Sequence, residues 1–169
     1  LRCFHGGPQG VREQAGWVTE SNQAGAAYGV SVASAGDVNA DGFDDVLVGA
    51  ETYDNGQSNE GAVFLFLGGT TGPPWVPVWW AESNQVGARF GLSVASAGDV
   101  NGDGLCDVIV GAPGYETAHG AGAVFAWYSA DGGIPYGTPD NCDWTFHDGD
   151  GSTFMGGSVD CAGDVNGDG

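Results

Sequence analysis

Lysine is missing from this chain of 169 residues, and its only fixed positive side chains are Arg2, Arg12 and Arg89. Against 22 acidic residues this leaves a formal charge of −19. A phosphate backbone must be met by cations, so nucleic acid is excluded as a partner. Anionic surfaces are repelled for the same reason. No run of about 18 apolar residues is present, so no membrane span is read in this segment. Helical periodicity with caps is missing too. So are an Asn-x-Ser/Thr sequon, a Ser-His-Asp order, a nucleophile elbow, a P-loop and an HExxH motif, which leaves no catalytic candidate. The cysteines Cys3, Cys106, Cys142 and Cys161 fit no zinc spacing. His5, His119 and His147 are too scattered to form a ligand set and read as surface loop residues.

What is abundant is glycine, at 33 residues, beside 41% hydrophobic residues that include six Trp, eight Phe and five Tyr. That apolar content suffices for a packed core and argues against disorder. The chain also repeats itself. Asp37-Val38-Asn39-Ala40-Asp41-Gly42-Phe43-Asp44-Asp45 returns 62 residues later as Asp99-Val100-Asn101-Gly102-Asp103-Gly104-Leu105-Cys106-Asp107. A third copy opens 65 residues on as Asp164-Val165-Asn166-Gly167-Asp168-Gly169. In the same register Glu20-Ser21-Asn22-Gln23 matches Glu82-Ser83-Asn84-Gln85, and Tyr28-Gly29 matches Phe90-Gly91 and Met155-Gly156. Ser31 to Gly36 matches Ser93 to Gly98, and Val46 to Ala50 matches Val108 to Ala112. Self-similarity at a fixed period marks an array, solenoid or propeller.

Inside each unit the apolar runs are short, β-branched or aromatic, and bounded by Gly, Asn and Asp. Four strands are predicted in the first unit: Tyr28 to Ala35, Asp45 to Ala50, Ala62 to Gly68 and Val76 to Ala81. In the second they are Phe90 to Ala97, Asp107 to Ala112, Ala121 to Ser129 and Asp143 to Phe146. Four-stranded antiparallel units in series predict an all-β chain of β-propeller blades. The domain frame read from the repeat is 1–16 as the last strands of a preceding blade, 17–78 and 79–143 as two full repeats, and 144–169 as the start of a third. A ring of seven such units would need far more than 169 residues, so an incomplete, open array is expected, with the remaining blades in further sequence.

The repeated loop carries oxygen side chains at positions 1, 3, 5 and 9 around a glycine at position 6. Calcium takes six to eight oxygen ligands, and glycine permits the turn that gathers them. An EF-hand loop needs an acidic residue at position 12 and a helix after it. Here position 12 is Val48 or Val110, followed by a β-run, so the EF-hand geometry is excluded.

The Tyr28-Gly29 and Phe90-Gly91 pairs, the short Asp-rich loop and Gly111-Ala112-Pro113 resemble FG-GAP repeats, the units of the integrin α-subunit β-propeller. The first unit departs slightly, with Gly49-Ala50-Glu51. The resemblance covers two units, the start of a third and the tail of a preceding one. It implies that the loop joins the innermost strand of a blade to the next and holds Ca2+. Asp37, Asn39, Asp41 and Asp45 would give side-chain oxygens and Phe43 its carbonyl. Asp99, Asn101, Asp103 and Asp107 with the Leu105 carbonyl would do the same in the second loop. Asp164, Asn166 and Asp168 would begin a third site that lacks its ninth position. Val38, Val100 and Val165, between ligands, are expected to point into the blade.

The function implied is that of a non-enzymatic, extracellular binding or adhesion module in which calcium is structural. A protein or glycan ligand would be met on the face opposite the loops, over Glu20 to Ala27, Thr52 to Glu60, Glu82 to Arg89 and Thr117 to Gly120. Two other roles stay open at this point: an accessory propeller of a secreted hydrolase, and a ligand-free spacer. The repeat-equivalent Trp17, Trp79 and Trp144 read as packing between blades more readily than as a carbohydrate platform. Arg89 is the one base near a repeated loop and is expected to meet a carboxylate. Asp148-Gly149-Asp150-Gly151 reads as a solvated loop. Whether Cys106, Cys142 and Cys161 form a disulfide or stay as thiols is left open by spacing alone.

Overall fold

The computed structural model describes residues 1–118, 120–130, 133–134, 137–147 and 154–163. Apart from one 3-10 turn at Pro139–Asn141, the regular structure among these residues is all strand. Four short strands come first: β1 (Arg2–Cys3), β2 (Gly6–Gly7), β3 (Gly10–Val11) and β4 (Trp17–Val18). They pair as β1–β4 and β2–β3. Two four-stranded antiparallel sheets follow. The first holds β5 (Tyr28–Gly36), β6 (Asp45–Ala50), β7 (Ala62–Phe66) and β8 (Trp79–Glu82) in sequence order. The second holds β9 (Ser93–Gly98), β10 (Asp107–Thr117), β11 (Gly120–Trp127) and β12 (Trp144–His147) in the same order. These are two propeller blades, packed with β5 of one against β9 of the other.

The predicted strands are there, with edges moved by local chemistry. Val76 to Val78 do not join β8, since Pro73, Pro74 and Pro77 remove ladder donors around them. Phe90 and Gly91 stay outside β9: Gly91 has φ +82°, and Phe90 bridges instead to Gly61 of the first blade in parallel sense. His147 closes strand β12 and is half-buried, so it is not the surface loop residue expected. His119 and the segment from Asp148 to Gly151 lie outside the described residues.

Strand alternation sorts each sheet into two faces. Leu47, Val63, Leu65 and Trp79 face the second blade and share one core with Val94, Val108, Val110, Phe125 and Trp127. On the other face Val48 and Phe66 pack with Trp17. The blade interface recurs ring by ring. Trp17 meets Phe66 edge-on at 5.0 Å, and Trp79 meets Trp127 edge-on at 5.7 Å. Both indoles are 3% exposed, so the outer-strand tryptophan of one blade is buried on the third strand of the next. A buried indole of this kind supplies a few kcal/mol of apolar transfer. Trp144, the repeat equivalent, is 45% exposed among the described residues.

The paired glycine motifs are the other half of the joint. Ser31 Oγ donates to the Gly91 carbonyl at 2.7 Å, and Ser93 Oγ donates to the Gly156 carbonyl at 2.8 Å. A Cβ on Gly49 would stand 2.0 Å from the Gly91 oxygen, and one on Gly111 would stand 2.0 Å from the Gly156 oxygen. The Gly-Ala motif of one repeat is therefore the floor on which the aromatic-Gly motif of the next repeat sits. Phe90, the residue before Gly91, enters that joint with it and is completely buried against Phe125 and Trp127.

Candidate functional site

The Asp-rich loops connect β5 to β6 and β9 to β10, at one end of each blade. Both fold onto their first aspartate. Asp37 Oδ1 accepts from the Asp41 N–H at 3.1 Å, and Asp37 Oδ2 accepts from Gly42 at 2.8 Å. Asp99 accepts from Asp103 at 3.0 Å and from Gly104 at 2.8 Å. The Phe43 N–H donates to Asp41 Oδ1 at 3.0 Å, and Leu105 donates to Asp103 Oδ1 at 2.9 Å. Asn39 and Asn101 donate through Nδ2 to Asp41 Oδ2 and Asp103 Oδ2 at 3.1 and 2.9 Å. The glycine at position 6 is required by conformation, with φ +87° at Gly42 and +89° at Gly104. Ala40, at position 4, holds the left-handed region at φ +58° without glycine.

The ninth-position aspartates differ from the rest. Asp45 and Asp107 are completely buried. Asp45 accepts from Val38 at 2.9 Å with Oδ2 and from Gly68 at 2.7 Å with Oδ1. Asp107 accepts from Val100 at 2.9 Å and from Ser129 at 2.8 Å. Each one thus clamps its own loop to the segment leaving the third strand. Burial raises the Asp45 carboxyl above its ordinary range; the Gly68 and Val38 N–H groups pull it down, and the charges of Asp41 and Asp37 push it up again. Asp107 is raised by the same causes, with Ser129 and Val100 as donors and Asp103 and Asp99 as the neighbouring charges. Asp37 is held below its ordinary value, first by the Gly42 N–H.

Asp37, Asn39 and Asp41 are thus gathered in one loop, as are Asp99, Asn101 and Asp103, with Asp45 and Asp107 buried beneath them. No group of three or more His, Cys, Asp or Glu side chains converges to metal-ligand distance among the described residues. The carboxylates instead accept the loop's own N–H groups. The donor chemistry fits a hard cation nonetheless. Every ligand position carries oxygen, the first aspartate is pre-oriented by backbone donors, and a cation would relieve the mutual repulsion felt at Asp45 and Asp107. Asp164, Asn166 and Asp168 lie outside the described residues. Val38 is completely buried as expected, but Val100 is 54% exposed, a correction to the sequence reading. Val38 is covered by the second blade's core, whereas Val100 lines an open groove with Ile109, Tyr128, Trp144 and Cys161.

Comparison with known proteins agrees with this architecture. The FG-GAP repeat family matches residues 28–66 and 90–127, the spans of the first three strands of each blade. Integrin alpha-3 of Cricetulus griseus is 38% identical over 120 residues, covering 69% of this chain and 11% of that protein. Integrin alpha-PS2 of Drosophila melanogaster is 40% identical over 117 residues, covering 64% of this chain and 8% of that protein. Integrin alpha pat-2 of Caenorhabditis briggsae is 43% identical over 89 residues, covering 50% and 7%. This is an integrin-α-like FG-GAP repeat protein. The chain spans about a tenth of the length of these relatives.

At the end of the blades away from the Asp loops, the FG-GAP units are laced by a motif whose repetition was visible and whose role was not. Gln23 Nε2 donates to the Asp54 carbonyl at 2.8 Å, while Gln23 Oε1 accepts from the Asp54 N–H at 2.8 Å. Gln85 makes the same pair of bonds to Glu116. Ser21 and Ser83 hold each turn by accepting from the Gln23 and Gln85 N–H groups at 3.3 and 3.2 Å. Asn22 and Asn84 take the left-handed region at φ +57° and +54°. The glutamine of each Glu-Ser-Asn-Gln turn thus acts as a strut to the next connection. Arg89 meets a carboxylate as expected, pairing with Glu51 through Nε at 2.8 Å. The four cysteines are free thiols, so no disulfide joins Cys106, Cys142 and Cys161. Cys106 instead packs beside Gly36 of the first blade, where a Cβ would stand 2.4 Å from its sulfur.

Proposed function

We propose that this protein is a calcium-binding, non-enzymatic module of an extracellular, integrin-α-like propeller, in which the cation stiffens the blades and ligand is met on the opposite face. The observation that carries the reading is the repetition of one hydrogen-bonded loop, built twice from oxygen donors at the same positions. Asp37, Asn39, Asp41 and Asp45 would hold one ion with the Phe43 carbonyl; Asp99, Asn101, Asp103 and Asp107 would hold the second with that of Leu105. The ion would supply positive charge where several carboxylates meet, and nothing in its role requires chemistry.

The segments lacing the far face are the surface assigned to a protein or glycan ligand. They are connections on a rigid scaffold, free to vary in side chain while their backbones stay braced by Gln23 and Gln85. The kinship to integrin α chains supports a surface or secreted location, where calcium-binding modules work at Kd values of about 10⁻⁴–10⁻³ M.

Isothermal titration with calcium tests the reading on the wild type and on Asp41→Ala and Asp103→Ala. Each variant is expected to lose the ion of its own loop and keep the other. Saturating calcium should raise stability by mass action, about 2.7 kcal/mol at a hundredfold excess over Kd. No heat and no rise in Tm at millimolar calcium would overturn it.

A further inference from the structure

The first blade buries two carboxylates at its far end, away from the Asp loops. Glu60 closes the β6–β7 connection and is completely buried. Glu82 is the last residue of β8, paired with Ala62 in the sheet, and is 9% exposed. Asn55 ties the two together. Its backbone N–H donates to Glu60 Oε1, and its Nδ2 donates to Glu82 Oε2 at 2.8 Å. The Gln57 N–H also donates to Glu60 Oε1, at 3.4 Å. Two oxygens in this cluster are buried with no hydrogen-bond partner among the described residues: Glu60 Oε2 and the Gln57 side-chain carbonyl, Oε1.

Both orphans are acceptors. Leaving a carboxylate oxygen dry and unpaired is costly, and the second carboxylate nearby adds repulsion. Arg89, whose backbone N–H donates to the Asn59 carbonyl beside Glu60, has its guanidinium engaged by Glu51. A water can donate to two oxygens but brings no charge. A hard divalent cation meets both demands, since it takes oxygen ligands only and accepts carboxylate and amide carbonyl together.

The repeat supplies an independent argument. In the second blade the position of Glu60 is Ala121 and that of Glu82 is His147. The blade fold is built there without the acidic pair, so the cluster is an addition to the scaffold and not a part of it. We propose that Glu60, Glu82 and the Gln57 carbonyl form a third cation site in the described residues, of calcium type, which fastens the β6–β7 connection to the end of β8. This site is separate from the two Asp loops and lies on the face assigned above to ligand, although it does not depend on that assignment.

The test uses the whole chain, labelled with ¹⁵N and titrated with Mn²⁺ as a paramagnetic calcium substitute. Amides of Asn55, Gln57, Glu60 and Glu82 are expected to broaden as a group, separately from those of the loops 37–45 and 99–107. Broadening confined to the loops overturns the third site while leaving the loop reading intact; the reverse pattern separates the two failures the other way. Metal analysis after equilibrium dialysis against calcium gives the count. The double variant Glu60→Gln, Glu82→Gln should bind one ion fewer per chain than the wild type. An unchanged count with a higher metal-free Tm would show that a shared proton neutralises the pair, and would overturn the proposal.

Discussion

Replacing Gly49 by alanine isolates the joint between blades from everything else in the fold. The residue is buried in β6, and its Cβ would stand 2.0 Å from the Gly91 oxygen and 2.2 Å from Ser31 Oγ. Ordinary contact starts near 3.4 Å, so the two backbones must part by more than an ångström. Neither can turn aside, because one is a strand residue in register with Val63 and the other lies in the joint that buries Phe90. Parting breaks the Ser31–Gly91 hydrogen bond, about 1 kcal/mol net, and adds about 1–3 kcal/mol for overpacking. A total of about 2–4 kcal/mol is expected. The control is Gly102→Ala. Gly102 has φ +77° but nothing near its Cβ, and Ala40 occupies the equivalent place in the first loop at φ +58°. That substitution should cost at most about 1–2 kcal/mol, from backbone conformation alone. Urea unfolding followed by far-ultraviolet circular dichroism in saturating calcium gives both values. If Gly49→Ala costs no more than Gly102→Ala, the direct stacking of the two glycine motifs is wrong.

The tryptophans give a second comparison: Trp79→Ala should cost about 3–5 kcal/mol and Trp144→Ala less than about 1, since only the first is buried in a blade joint. Equal costs in urea unfolding would show that Trp144 is packed as tightly as Trp79. The pH dependence of metal-free protein follows from Asp45 and Asp107, whose carboxyls sit above their ordinary value chiefly through burial. Such a group contributes stability that is full below its unfolded pKa and is lost as pH rises through its folded pKa. Asp37, held low, acts in the opposite sense but only below the ordinary carboxylate range. The Tm of calcium-free protein should therefore fall as pH is raised from about 4 towards 7. Saturating calcium, which requires deprotonated carboxylates, should flatten or reverse that slope. A metal-free Tm that rises over this range would contradict the buried-carboxylate argument.

Much of the blade was legible because each strand is bounded by residues that carry their own instructions. β6 runs over the predicted residues, starting at the buried Asp45 and ending at Ala50, where the connection leaves. The Asp loops were legible from side-chain type and glycine position. Less legible was anything set by a neighbour outside the repeat. Val38 and Val100 are the same residue by sequence, yet one is fully buried and the other 54% exposed, because burial depends on which blade lies against it. The Glu-Ser-Asn-Gln turns announced themselves by recurring, but their partners Asp54 and Glu116 share no side-chain chemistry; the glutamine grips only their backbone. Glu82 was visible as the first residue of one such turn, but its link to Glu60 was not, because the two are 22 residues apart in sequence and the second blade has Ala121 and His147 in their places.

The two kinds of repeated feature divide the work of the propeller along the blade. The glycine joint and the outer-strand tryptophan bind one blade to the next, through Gly49 against Gly91 and Trp79 against Trp127. The Asp loop binds strands within a blade: Asp45 accepts from Val38 before β6 and from Gly68 after β7, and Asp107 does the same with Val100 and Ser129. Loss of a cation should therefore loosen a blade internally and leave its joints standing. A glycine substitution should open a joint and leave each blade's loop able to bind. The loops also touch across the joint, since the Cys106 N–H donates to the Asp37 carbonyl at 3.2 Å. That backbone bond, together with the Cys106 side chain packed beside Gly36, is a described link through which filling one loop would be felt by the next. Coupling between the two proposed calcium loops would then follow from how the blades stack.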